Sequence, residues 1–324
     1  MALIVQKFGG SSVADRDRIF NVARIVANTH AAGNDVVVVV SAQGDTTDDL
    51  IAKAGEITHD PSQREMDMLL ATGEQISISL LAMALGETGC PAISLTGWQA
   101  GFHTDRAYTR ARIKNLDTER IESELSKNRV VVVAGFQGLN RYDDITTLGR
   151  GGSDTSAVAI AAAMKADKCE IYTDVDGVYT TDPRVCSEAR KVERVSYEEM
   201  LEMSSMGAKV LQIRSVEFAK KYKVPVRVRS TFSDDPGTLV TQEDEMMESV
   251  LVSGIAYDRD QARVTLCGIP DRPGISAAIF GPLADGGILV DMIVQKASRE
   301  GITDMTFTVS RKDLKRALAT VSTV

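Results

Sequence analysis

"DVVVVVS", Asp35–Ser41, decides the fold. Val36–Val40 is a continuous apolar run, with no alternation that would give one face to water. Such a run reads as a strand covered on both faces, as in a parallel sheet between layers of helices. "RVVVVAGF" (Arg129–Phe136) has the same character in Val130–Val133. Working outward, further short β-branched runs are "ALIVQKF" (Ala2–Phe8), "PAISLTG" (Pro91–Gly97), "CEIYTDV" (Cys169–Val175) and "PVRVRS" (Pro225–Ser230). Helical patterns lie between them, among them Asp15–Ala31, Glu65–Leu85 and Asp154–Ala166. The expected architecture is a three-layer α/β/α domain with a mainly parallel sheet, spanning 1–232. Ligands of such sheets bind beyond the carboxyl ends of the strands. Lys7, Ser41, Gly97, Gly135 and Asp174 all fall at or just past those ends.

Composition excludes several classes. The 324 residues are 44% hydrophobic and 25% charged, with a net charge of -8, which disfavours non-specific nucleic-acid binding. Cys90, Cys169, Cys186 and Cys267 are scattered, without a C-x-x-C pair, and His30, His59 and His103 lie far apart. Neither a structural zinc site nor a disulfide framework is expected, and a reducing cytoplasm fits best. The N-terminus carries no cationic n-region, and no apolar stretch approaches the ~18–20 residues of a membrane span. No nucleic-acid or membrane partner is expected.

The acidic stretch 233–249, with Pro236-Gly237, reads as a linker. From 250 to 324 the pattern changes to strand, helix (Pro273–Gly287, with Ile275, Ile279 and Leu283 on one stripe), two strands and a helix (Lys312–Val321). This β-α-β-β-α order suggests a small ferredoxin-like α+β module, incomplete because no closing strand follows.

Each motif admits two readings. In "LIVQKFGGSSV" (Leu3–Val13), Gly9-Gly10 ahead of a helix let backbone N–H groups cradle a phosphate, with Lys7 reaching the transferring group. The bland reading is a tight turn with a solvent lysine. No P-loop is present. "GRGGSDTSA" (Gly149–Ala157) enters a helix, where Ser153 or Asp154 can cap and Arg150 is a fork donor for carboxylate or phosphate. "YTDVDGVYTTDPR" (Tyr172–Arg184) is a nucleotide clamp or a structured loop, and Lys209 a further phosphate contact or a surface lysine. Glu74, in "LLATGEQIS", is a cap or the partner of a cation. Ser41 and Thr47 bind ligand or cap the helix Asp48–Ile57. Met200, Met203 and Met206 read as helix packing.

"KFGGSSV", "SAQGDTTDDL", "LLATGEQIS", "AGFQG", "LGRGGSDTSA", "YTDVDGVYTTDPR" and "GAKVL", in this order, resemble the aspartokinase family of the amino-acid kinase superfamily. The resemblance covers essentially the whole chain. The trailing module resembles the first of the family's paired ACT regulatory domains, and the second repeat is absent. What the resemblance implies is ATP-dependent, Mg²⁺-assisted phosphorylation of the L-aspartate side-chain carboxylate, on the route to lysine, threonine and methionine. It implies catalytic roles for Lys7 and Asp154. Nucleotide would be bound by Lys7, Phe8, Gly9, Gly10, Ser11, Ser41, Thr173, Asp174, Tyr179, Asp182, Arg184 and Lys209. Aspartate would be held by Thr47, Glu74, Arg150, Gly151, Gly152 and Ser153. No protein ligand for the metal is implied. A feedback amino acid, lysine or threonine, would meet Asp271, Pro273, Gly274, Ile275, Asp291 and Gln295. A homodimer is implied, and also a separate ACT regulatory subunit started internally at Met246 or Met247. The chain departs from the family at Ser11, where threonine is common, at Gln43, where methionine is usual, and at Leu289, where asparagine is usual. A kinase of another small amino acid and a non-catalytic amino-acid sensor are the alternatives.

Overall fold

The computed structural model describes residues 1–208, 210–243, 254–296 and 301–322. The chain divides into two compact units, Met1–Ala256 and Tyr257–Val324.

The first unit is built on an eight-stranded sheet. From one edge its strands are Ala92–Leu95, Val130–Ala134, Asp35–Val40, Leu3–Phe8, Lys168–Thr173, Val226–Ser230, Thr238–Thr241 and Arg194–Ser196. The strands run parallel as far as Val226–Ser230, and the last two run oppositely. Val36–Val40 and Val130–Val133 are completely buried, as their lack of alternation requires. Val37, Val39, Val131 and Val133 enter one core with the helix Gly152–Ala163. Val36, Val38, Val40, Val130 and Val132 enter the other, with Ile19, Val22, Val26, Leu81 and Leu85. Each such side chain contributes about 1.5–3 kcal/mol relative to exposure. Gly152–Ala163 is buried on all sides as far as Ala161, and its glycine, serine and alanine residues let it seat directly on the sheet.

Several expectations are corrected. Residues 233–249 are not simply a linker, because Thr238–Thr241 is a strand of the main sheet, antiparallel to Val226–Ser230. Pro236-Gly237 is the turn of that hairpin. Gly237 has φ +73° and donates its N–H to Asp235 Oδ1, while Arg227 donates to the Pro236 carbonyl. Glu65–Leu85 is two helices, Gln63–Leu70 and Thr72–Glu87, joined at Ala71. By length and apolar composition this run is long enough to cross a membrane, contrary to the sequence expectation. It is nonetheless a core helix, with Ile78, Leu81 and Leu85 packed inside and two buried carboxylates, Asp67 and Glu74. Met200 and Met203 pack in the core, whereas Met206 ends its helix exposed. A four-stranded sheet of Ile113–Leu116, Phe102–Thr104, Gln137–Leu139 and Ile145–Thr147 was not expected, since three or four residues are too few to show a period.

The second unit is an antiparallel sheet in the order Gln261–Pro270, Ile302–Ser310, Val290–Gln295, with helices Ile275–Asp285 and Leu314–Val321. Ile279, Leu283, Met305, Phe307 and Val309 form its core. The β-α-β-β-α order is the one read from the sequence. Met246 and Met247 lie outside the described residues.

A Cβ at Gly237 would sit 1.8 Å from the Val228 carbonyl oxygen, on a left-handed backbone. Gly237→Ala should cost on the order of 2 kcal/mol or more in denaturant unfolding. Gly55→Ala, in a helix with open space around it, should instead stabilise by about 0.5–1 kcal/mol.

Candidate active site

The site begins where the first strand ends. Lys7, paired across the backbone with Val39 and Ile171, sends Nζ to within 2.6 Å of Asp154 Oδ1. The two side chains are 11% and 10% exposed. Taking two charges out of water costs about as much as their attraction returns, so such a pair is a poor stabilising device. The expectation that Ser153 or Asp154 caps the helix fails. The N-cap is Gly151, with no side-chain cap, and both residues lie within the first turn, where Asp154 is committed to Lys7.

After Lys7 the chain turns through Gly9 and a short 3-10 helix, Gly10–Val13. Gly9 donates its N–H to the Tyr172 carbonyl, and Gly44 donates to the Gly10 carbonyl. A Cβ on Gly10 would lie 2.6 Å from the Ala42 carbonyl oxygen, so the two loops fit only with glycine there. Ser12 and Thr231 share a 2.6 Å hydroxyl contact, and Arg18 donates to the Ser11 carbonyl, fixing the loop from behind. Phe8 is buried and stacks on Tyr172, with centroids 4.6 Å apart. Its side chain therefore faces the core, and only its backbone belongs to the rim.

Glu74 lies in the first turn of Thr72–Glu87 and is 3% exposed. Its Oε1 accepts the Ala42 N–H at 3.1 Å, and Oε2 has no partner among the described residues. Burial pushes its carboxyl up to about 7, against the lowering effect of the Ala42 N–H. The Ala42 segment is thus held between Gly10 and Gly73, where a Cβ would come within 2.8 Å of Ala42 Cβ. Neither Ser41 nor Thr47 caps the next helix. Thr46 donates to the Gln43 carbonyl instead, and Thr47 lies half-buried in the first turn of Thr46–Ile57.

The second glycine loop uses left-handed residues, Gly149 at φ +79° and Gly151 at +72°. Arg214 braces it by donating to the Leu148 and Ala111 carbonyls. Gly152 fits against Leu148 and Phe136. Ser153 is buried against Gly135, where a Cβ would lie 2.7 Å from its own. Arg150 is exposed on the rim.

In the loop after Lys168–Thr173, Thr173 donates to Asp174 and Tyr179 donates to Asp176 at 2.9 Å. That bond raises the Tyr179 phenol above its usual range. Arg184 holds Asp182 with two guanidinium bonds of 3.1 and 3.0 Å. Lys191 bridges Asp235 and Asp176 and was not singled out in the sequence, where a lone lysine gives no signal. Lys209 lies outside the described residues. Two buried polar residues were also missed. Asp67 accepts bonds from Thr109 and Thr147, and Gln137 donates to the Ala71 carbonyl.

In the second unit, Asp271 and Gln295 meet at 3.4 Å beside the start of Ile275–Asp285, which Gly274 enters at φ +92°. Pro273 is exposed in that turn, and Ile275 opens the helix. Asp291 sits at a register irregularity on the strand that carries Gln295.

The first unit therefore carries a buried lysine at the end of a strand beside a glycine turn, an exposed arginine in the second glycine loop and, in a helix's first turn, a buried carboxylate with one oxygen unpartnered among the described residues. The first two suit anions and the last a cation.

Between about pH 4.5, where an ordinary glutamate ionises, and about 7, native Glu74 keeps a proton that the unfolded chain has released. Stability should therefore fall as pH rises through that window and level off above it. Glu74→Gln should remove this component of the slope, measured as the difference between the two proteins' denaturant midpoints from pH 4.5 to 8.

Comparisons with known proteins agree with this geometry. The family model described as the amino acid kinase family matches residues 2–230, and an ACT domain model matches 264–324. The chain is 55% identical over 318 residues to an aspartate kinase of Pseudomonas putida, covering 98% of this chain and 77% of that one. The crystal structure of an aspartate kinase from Synechocystis superposes with a TM-score of 0.70 at 46% identity, covering 99% of this chain and 55% of that one. E. coli aspartokinase III with aspartate and ADP, in the R-state, gives a TM-score of 0.79 at 30% identity, over 95% of this chain and 78% of that one. The same enzyme with lysine and aspartate, in the T-state, gives 0.75 at 28%, over 99% and 83%. With residues 2–230 matched by the family model and this degree of identity, the chain belongs to the amino acid kinase family and, within it, to the aspartate kinases.

Proposed function

We propose that the chain transfers the γ-phosphoryl group of ATP to the side-chain carboxylate of L-aspartate, giving 4-phospho-L-aspartate and ADP. The observation that carries this reading is the buried Lys7–Asp154 pair at the mouth of the glycine loop, with half-partnered Glu74 in the same unit. Its relative E. coli aspartokinase III is known with aspartate and ADP bound.

An aspartate carboxylate is already ionised at neutral pH, so no general base is needed. The obstacle is repulsion between an anionic nucleophile and a polyanionic donor, which positioning and positive charge relieve. One carboxylate oxygen forms a bond to the γ-phosphorus as the bond to the β–γ bridging oxygen breaks, and ADP leaves with that electron pair. Lys7 neutralises charge on the transferring group, and Asp154 holds the ammonium in place. The N–H groups of Gly10 and Ser11, with Ser41, face the phosphates, and Gly9, whose N–H is taken by the Tyr172 carbonyl, leaves room for them to approach. Thr173, Asp174, Tyr179, Asp182 and Arg184 line the nucleotide. Arg184 turns from Asp182 to phosphate.

Arg150 takes the substrate α-carboxylate as a fork, with Gly151, Gly152, Ser153 and Thr47 beside it. Glu74 takes the α-ammonium, which supplies the missing partner of Oε2 and draws the carboxyl to its ionised form. Among the described residues no three His, Cys, Asp or Glu side chains are grouped to hold an ion. Mg²⁺ would be carried by phosphate oxygens and water, where it would supply charge neutralisation.

In the second unit we assign lysine or threonine as an effector. Asp271 and Gln295, with Asp291, take its ammonium, and the Pro273–Ile275 turn takes its carboxylate at the helix start. The T-state of aspartokinase III, which holds lysine, supports a feedback amino acid. Residues 1–232 are assigned to catalysis and 250–324 to regulation, in a cytoplasmic homodimer that also accepts a separate ACT subunit.

Hydroxamate trapping of the acyl phosphate tests the reaction, and turnover with aspartate but not glutamate is expected. Absence of turnover with aspartate overturns the assignment. Lys7→Ala should lower kcat by about 10²–10³ with a retained fold. Undiminished kcat would remove Lys7 from the mechanism.

A further inference from the structure

Asp67 is completely buried, yet it lies on no surface proposed above to touch either substrate. Its two oxygens both accept the Thr109 N–H, at 3.0 and 2.9 Å, and Oδ1 also accepts the Thr147 hydroxyl at 2.6 Å. Two donors, an N–H shared by both oxygens and a hydroxyl, thus hold this buried carboxylate. An isolated helix residue has no need of such an arrangement, and what matters is what the three bonds join.

On one side, Asp67 stands seven residues before Glu74 on the helical run Gln63–Glu87. Ala71, between the two helices, keeps a right-handed helical backbone (φ -60°, ψ -17°), and seven residues is close to two turns, so the run brings both carboxylates near one face. On the other side, Thr147 ends the strand Ile145–Thr147, and three residues later the chain reaches Arg150. Thr109 belongs to the same support. Its φ is +65°, and a Cβ on Gly149 would come within 2.9 Å of its carbonyl oxygen. Ala111 N–H donates to the Thr147 carbonyl, closing the unit. A second tie runs parallel, as Gln137 donates to the Ala71 carbonyl, between Asp67 and Glu74.

We propose that Asp67 is a positioning residue that sets the separation between Glu74 and Arg150, and so the fit of the site to an amino acid's ammonium and α-carboxylate. This rests on the roles given to Glu74 and Arg150 above. Lys7, the 8–13 loop and the nucleotide loop are held by other contacts, to Asp154, Tyr172, Thr231 and, from Val178, Thr238. Loosening the Asp67 tie therefore acts on the acceptor and not on the nucleotide. An Asn at 67 would place an amide where the Thr109 N–H or the Thr147 hydroxyl now donates. Thr147→Val removes one bond at nearly constant volume, and Thr147→Ser keeps it.

The test is steady-state kinetics of the full 324-residue chain, varying aspartate and ATP separately. Asp67→Asn and Thr147→Val should each raise KM for aspartate by about tenfold, with KM for ATP changed less than about twofold. Thr147→Ser should restore the wild-type aspartate KM. An unchanged aspartate KM in Thr147→Val, or an equal rise in both KM values, overturns the positioning role while leaving the reaction assignment standing. A failure of Thr147→Ser to restore what Thr147→Val loses overturns it as well. If Asp67→Asn does not fold, the Thr147 pair decides alone. If the wild-type chain itself does not turn over aspartate, the reaction assignment fails and Asp67's role fails with it.

Discussion

One ion pair organises the catalytic half of this chain. Lys7 comes from the first strand and Asp154 from the helix Gly152–Ala163, which is buried on nearly every side. Two charges at nine-tenths burial add little net stability, because lost hydration offsets their attraction. They persist because the neighbouring layers leave neither of them another place to go. The valine strands beside Lys7 are closed to water on both faces, and the small residues of Gly152–Ala163 bring Asp154 directly over the strand end. A polyanionic ligand arriving at the glycine loop would meet a cation already aimed at it, with its desolvation cost met on folding.

Around that pair the site is fitted by close approach more than by bonding. Ala42 is held between Gly10 and Gly73, and Gly135 gives room to Ser153. These glycines are needed for want of space. Gly149 and Gly151 are short of space too and are needed in addition for their left-handed backbone, which turns the chain so that Arg150 reaches the rim. Glu74 is fixed by the same packing, with one oxygen on the Ala42 N–H and the other without a partner. A carboxylate held so, with its ionisation opposed by burial, is stabilised by an incoming ammonium and is therefore selective for one.

Much of this was legible in the sequence. Unbroken valine runs cannot form a half-exposed strand, so the layered parallel sheet followed from them. The ends of those runs then placed Lys7, Ser41, Gly135 and Asp174 at one rim. The β-α-β-β-α order of the second unit was readable for the same reason, since its helices carry an apolar stripe. Other features gave no local signal. The strands of the smaller sheet are too short for a period. Thr238–Thr241 looked like linker because an acidic, Pro-Gly-containing stretch resembles one, and only pairing with Val226–Ser230 makes it a strand.

The amino-acid order by itself determined which segments are strands and helices in the core and which residue types stand at their ends, because burial on two faces and helical periodicity are written along the chain. The tertiary structure alone decided which of those residues meet. Asp154 looked equally suited to capping its helix, and the reach of Lys7 across the sheet end settled its partner. Asp67 carried no signal in the sequence, and its bonds exist because Thr109 and Thr147, 42 and 80 residues away in sequence, are brought to it by the smaller sheet. Contacts between residues so distant in sequence depend on the packing of whole elements, and no local pattern encodes them.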